Sequence, residues 1–248
     1  MSGYAKAPAS FPADGDEARP THSNIFVSTD QFARMDNPDS DHHIICATSV
    51  KDVEEFEGLV GTCEGLGFRK AVSQRHEILD MARPLIDRVY YVAVRKTKDD
   101  YTFHETERIH EAAFRYLADM VMRMEDGHYT DVEISQDVLI DDDAAELVFR
   151  NSPHAHGRSV DANVVEMDDS YGLQANSFVC GPIAMKYARD DTRYYDYLDS
   201  PTYGFVTTTD DIEEWTRANR DLHDHVYTSG PDASTSSDLK NADGGSHE

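Results

Sequence analysis

The order in which strand and helix patterns follow one another constrains this chain most. Asn24–Thr29 and His43–Thr48 are apolar runs joined through an Asp-rich turn, Met35–Asp41, and they read as an antiparallel hairpin. Helix and strand patterns then alternate. Lys51–Leu66 carries Val53, Phe56, Leu59 and Val60 at the three- and four-residue spacing of a helix with one buried face. Gly65 and Gly67 are placed to end it. Glu77–Ile86 reads as a short helix, Arg88–Val94 as a third strand and Glu105–Met124 as the longest helix. The stripe of that helix is Ile109, Ala112, Ala113, Tyr116, Leu117, Met120 and Val121. Asp131–Asp137 alternates as a strand, Ala144–Arg150 is a short helix, Val160–Met167 is a further strand, and helix resumes after Gly172. A last helix covers 209–226. Antiparallel strands followed by strand–helix alternation predict a single α/β domain with a mixed sheet flanked by helices.

The ends lack such patterns. Residues 1–22 are rich in Ala, Pro, Asp and Gly and read as a disordered tail. Residues 229–248 are Ser-, Asp- and Gly-rich and read as a second, acidic tail. The folded domain is therefore expected over 23–228.

Charge narrows the setting. The 248 residues carry 48 acids against 23 bases, a net charge of −25, with 32 Asp among the acids and 16 Arg among the bases. The acids are spread along the whole chain, so one protein-wide pressure accounts for them best. High salt is that pressure. At molar ionic strength screening acts over about 3 Å, so neighbouring carboxylates barely repel, and a large net charge keeps the protein soluble. Few Lys and many Asp point to a halophilic archaeon. Acidity ordinarily argues against nucleic-acid binding, but a proteome-wide acidity weakens that argument. Cys46, Cys63 and Cys180 show neither metal spacing nor a disulfide framework. No apolar run approaches the 18 residues of a membrane span, and no apolar leader segment opens the chain. A cytoplasmic protein is expected.

The segment Tyr171-Gly172-Leu173-Gln174-Ala175-Asn176-Ser177-Phe178-Val179-Cys180-Gly181 is uncharged, small and apolar, and follows Asp168 and Asp169. Asp169-Ser170, then Gly172-Leu173-Gln174-Ala175 and Phe178-Val179, resemble the prokaryotic proteins grouped as domain of unknown function 3800. The resemblance extends over about 25–198. It implies a ribonuclease H-like fold and a nuclease that uses Mg²⁺ or Mn²⁺. Asp30, Asp137 and Asp169 would be the catalytic metal ligands, and Lys70, Lys96 and Gln174 would contact nucleic acid. Two departures stand out. That family's first strand ends Asp-Glu-Ser-Gly, whereas this chain has Ser28 at the first acid, with Asp30 two residues on. Its helix carries Gln-x-Ala-Asp, and Ser177 stands where the Asp is expected.

Two-metal cleavage uses two divalent cations about 3.5–4 Å apart, which three or four convergent carboxylates would hold. With Ser28 and Ser177 in place, a second reading is a catalytically inactive binding or assembly module, acting with a protein partner or as a homo-oligomer. Asp137 also reads as a solvated strand-end carboxylate beside Asp141–Asp143, and those acids suit a helix N-terminus. Arg69, Lys70, Arg75, Arg95, Lys96 and Lys98 contact phosphates if they converge, and otherwise balance neighbouring acids. His154-Ala155-His156 lacks a third metal ligand. No nucleophile elbow, phosphate loop or dinucleotide fingerprint occurs.

Overall fold

The computed structural model describes residues 22–30, 33–35, 37, 39–66, 75–98, 100–198 and 200–227, without the side chains of 63–66 and 219–227. The tails proposed at 1–22 and 229–248, and the residues Gly67, Arg69 and Lys70, lie outside these described residues, except that His22 opens the first strand rather than closing a tail.

Six strands form one sheet: β1 His22–Thr29, β2 His42–Val50, β3 Ile86–Arg95, β4 Tyr129–Ser135, β5 Ser159–Val165 and β6 Thr202–Thr208. Their order is β5-β4-β1-β2-β3-β6. β2 runs antiparallel to both β1 and β3, whereas β4, β5 and β6 each run parallel to their neighbours. An antiparallel three-stranded opening, followed by strand–helix crossovers that add parallel strands on the β1 side, is the ribonuclease H-like arrangement expected above.

The helices are α1 Val53–Leu66, α2 Arg75–Ala82, α3 Phe103–Met124, α4 Asp142–Arg150, α5 Tyr171–Arg189 and α6 Thr209–Tyr227. Side chains alternate across each strand, so the sheet has two buried faces. Ile25, Val27, Ile45, Tyr90 and Val92 meet Ile109, Ala113, Leu117 and Val121 of α3 in one core, which Phe149 and Ile212 complete from α4 and α6. Phe26, Ile44, Cys46 and Tyr91 face Phe56, Leu173, Val179 and Ile183 in the other, under α1 and α5.

Several boundaries differ from the sequence expectation. Gly65 lies inside α1. α2 ends at Ala82, and Ile86 opens β3 rather than closing a helix. β4 stops at Ser135, and Asp137 sits in a short 3-10 turn capped by the Ser135 hydroxyl. β6 was not anticipated. Pro182 does not break α5, which runs through it. Asp141 does cap α4, its side chain accepting from the Ala144 N–H, as an acid at a helix N-terminus should.

Two local constraints fix the layers. The Glu125 side chain, 2 % exposed, accepts from Ser23 at 2.8 Å and from Tyr90 at 2.7 Å, with Arg88 at 3.7 Å. A buried carboxylate held by three partners locks the end of α3 to β1 and β3. On the opposite face, a Cβ added at Gly172 would come within 2.0 Å of the Phe26 ring. Only glycine lets α5 seat this close. Gly172→Ala is expected to cost about 1–3 kcal/mol through overpacking, measured by urea unfolding.

His43 is fully buried, its ring 4.1 Å from that of His110 on α3. Burial, with His110 next and Lys96 and Arg34 adding positive potential, holds the His43 imidazole well below 6.5. The unfolded chain takes up this proton near pH 6.5 while the folded chain does not. Stability is therefore complete above pH 6.5 and falls as the pH drops below it, by about 1.4 kcal/mol per pH unit for one proton. Urea midpoints between pH 7 and 5 should show this loss, and His43→Leu should flatten it.

Candidate functional site

β1 and β4 pair in parallel from His22–Tyr129 to Val27–Ile134, and the strand order reverses between them, where α/β proteins commonly bind ligands. Val27 pairs with Ile134, so the next residues along the two strands are Ser28 and Ser135. On the other side Ser28 pairs with Cys46 of β2. The row across β4, β1 and β2 is thus Ser135, Ser28 and Cys46, each 0–1 % exposed and each neutral.

α5 closes this row from above. Asn176, fully buried, donates from Nδ2 to Ser28 Oγ at 2.9 Å and accepts at Oδ1 from Thr48 Oγ1 at 2.5 Å. Ser28 Oγ also lies 3.5 Å from Cys180 Sγ, one turn further along the helix. Burial, with Cys180 next and the nearby charge of Asp30, pushes the Cys46 thiol well above its usual range. The buried Cys46 thiol is therefore an inert small group rather than a nucleophile.

The three expected acids lie on separate elements. Asp30 follows the end of β1 and keeps the side of Ser28: its Oδ2 and the Arg75 guanidinium each lie 3.7 Å from a Cβ built at Gly181. Asp137, 44 % exposed, pairs with Arg34 at 3.1 Å. Asp169 is exposed in the 3-10 turn Met167–Asp169 that precedes α5. Among the described residues no three His, Cys, Asp or Glu side chains come close enough to hold a metal ion. Mg²⁺ prefers carboxylate oxygens. The donors that do converge are two hydroxyls and an amide already bonded to one another, and they do not fit a pair of divalent cations.

Ser177 needs correction. It is exposed and its hydroxyl turns back to the Gln174 carbonyl at 2.6 Å. The α5 residue that faces Ser28 is Asn176, one position earlier. Asn176 shares a helix face with Gly172, Leu173, Val179 and Cys180, all buried, and that periodicity was available in the sequence. Glu133 was also passed over. It lies on β4 between Val132 and Ile134, and it accepts from Ser170 at 2.5 Å at the start of α5. Its nearness, after burial, helps raise the pKa of Glu57 on α1.

Among the described residues, Lys96, Lys98 and Arg75 each have a separate partner. Lys96 donates to the Asn37 carbonyl at 2.6 Å, and Lys98 pairs with Glu105 at 2.6 Å. Arg75 packs over Tyr194, 5.4 Å from the ring. Gln174 donates to the Asp168 carbonyl at 3.3 Å. His154 and His156 lie in the turn-rich connection before β5.

Asn176→Ala should leave Ser28 and Thr48 unpaired in the core. It is expected to cost about 2–4 kcal/mol, read from urea midpoints.

No protein-family model and no curated protein matches the sequence. Among solved structures, the chain is similar to ribonuclease H2 from Pyrococcus horikoshii OT3, at 10 % identity and a TM-score of 0.43, covering 66 % of this chain and 73 % of that one. It is also similar to a structure of the PCNA:RNase HII complex from Archaeoglobus fulgidus, at 11 % identity and a TM-score of 0.38, covering 81 % of this chain and 90 % of that one.

Proposed function

We propose that this chain is a non-catalytic binding or assembly module on a ribonuclease H-like fold. The observation that carries this reading is the neutral knot of Ser28, Asn176 and Thr48 at the centre of the sheet. Two-metal cleavage draws its rate from cations clamped between carboxylates. A saturated set of neutral donors brings no such charge. On this reading the chain descends from the family of domain of unknown function 3800, acts in the cytoplasm of a halophilic archaeon, and engages a protein or nucleic-acid partner. The composition and the residues 169–179 support that lineage. No helix among the described residues is long and apolar enough to cross a membrane.

A second reading keeps the nuclease. It is favoured by Asp30, whose carboxylate reaches over α5 on the side of Ser28. Asp30, Asp137 and Asp169 would then hold Mg²⁺ or Mn²⁺, with Lys70, Lys96 and Gln174 toward the nucleic acid.

One assay separates the two. Single- and double-stranded DNA and RNA are incubated with the protein and Mn²⁺ in molar KCl, beside Asp30→Asn and Asp137→Asn. The module reading expects no cleavage above background from any of the three proteins. Mn²⁺-dependent cleavage by the unaltered chain that both substitutions abolish would sink it and establish the nuclease.

A further inference from the structure

We infer that β6 is a self-pairing edge, at which a second copy of this chain extends the sheet across a two-fold axis. The inference is independent of whether the fold cleaves nucleic acid.

β6 is a terminal strand of the sheet, paired only with β3 among the described residues. An unpaired edge offers a row of backbone donors and acceptors, and proteins usually guard such edges with charge. The opposite edge is guarded. β5 carries the exposed Asp161, paired in register with Asp131 of β4. Burial, and then the charge of Asp161, raises the Asp131 pKa. β6, Thr-Tyr-Gly-Phe-Val-Thr-Thr, carries no charge, and none occurs from Ser200 to Thr209 in a chain that is 29 % charged. Val206 leaves 52 % of its surface exposed.

The register makes this edge complementary to itself. Val89 donates to the Pro201 carbonyl, so alternation turns the N–H and C=O groups of Tyr203, Phe205 and Thr207 toward β3. Those of Thr202, Gly204, Val206 and Thr208 face outward. An antiparallel copy with the axis at Phe205 sets Gly204 opposite Val206 twice, and Thr202 opposite Thr208 twice. These four are the outward-facing residues, so hydrogen-bonded pairs form on both sides of the axis. On the α5 side the Tyr91 ring lies over Gly204, where an added Cβ would come within 2.1 Å of it. That ring fills the space of the missing side chain, so the partner's Val206 rests against the Tyr91 ring rather than against a side chain of Gly204. On the α6 side Phe205 stacks on Tyr116 at 3.8 Å, which holds the strand straight.

Charge selects the partner. A cationic protein would be drawn to the acidic surface as a whole, not to an uncharged strand. For two copies that each carry −25, a neutral seam is where approach costs least, and added salt screens the remaining repulsion. Self-pairing should therefore strengthen with salt, whereas binding of a cationic partner should weaken.

The test is sedimentation of the full chain over a broad concentration range, from low salt to molar KCl. The expected species is twice 27.9 kDa, favoured by salt. Val206→Lys places a charge on the seam. Val206→Pro removes an outward N–H while leaving the β3–β6 ladder intact. Each should weaken association by about 100-fold, with an unchanged circular dichroism spectrum and urea midpoint. A chain that stays monomeric in molar KCl, a dimer indifferent to both substitutions, or one that salt dissociates would each overturn the inference. If Val206→Lys fails to fold, Val206→Pro alone carries the test.

Discussion

Asn176 is the side chain on which the seating of α5 depends. Among the described residues it is the one amide buried between the sheet and this helix, and it spends its donor on Ser28 and its acceptor on Thr48. Ser28 belongs to β1 and Thr48 to β2, so a single side chain fixes the helix against both strands of the opening hairpin. Apolar contacts alone would tolerate a sliding helix, since Leu173, Val179 and Ile183 could meet several positions of the sheet. The two hydrogen bonds do not, because displacement would leave buried hydroxyls unpaired. Gly172 works with Asn176 by letting the helix start lie directly on Phe26.

The same arrangement shows how a chain this acidic forms a core. Among the described residues its carboxylates are kept out of full burial with one exception, Glu125, whose charge is met by Ser23, Tyr90 and Arg88. Glu133 stands at the margin, capped by Ser170 where α5 begins. Elsewhere among the described residues the buried polar side chains include the neutral Ser28, Ser135, Thr48 and Asn176 and the His43 imidazole, held well below its usual range by burial. Surface repulsion is screened by salt, while a buried charge is not. An acid-rich composition therefore places a stricter limit on the interior than on the surface.

Much of the fold was legible because burial on both faces leaves continuous apolar strands and amphipathic helices. The hairpin of β1 and β2, the stripe of α3 and the Asp141 cap of α4 all followed from local pattern. β6 was missed because Gly204 and the threonines at 202, 207 and 208 dilute its apolar signal, and its strand character comes from pairing with β3. The site was harder to read. The resemblance pointed to Ser177, but helical phase turns Asn176, not Ser177, toward Ser28. Where Asp30, Arg75 and Asp137 point depends on partners dozens of residues away, which no local pattern encodes.

Saturation distinguishes the centre of this sheet from a ligand site in waiting. Groups prepared for a cation point lone pairs at a shared space and repel one another until the cation arrives, which raises carboxylate pKa values and leaves polar atoms without partners. At the centre of this protein the reverse holds. The Asn176 amide has a partner on each side, and Ser28 is bonded to it while lying against Cys180. The buried polar side-chain atoms left without a hydrogen bond among the described residues include Thr29, Thr130 and His43, none of them a member of that knot. A network closed on itself stabilises one packing of α5 and offers nothing to an incoming ion. The interior of this fold is therefore organised for rigidity.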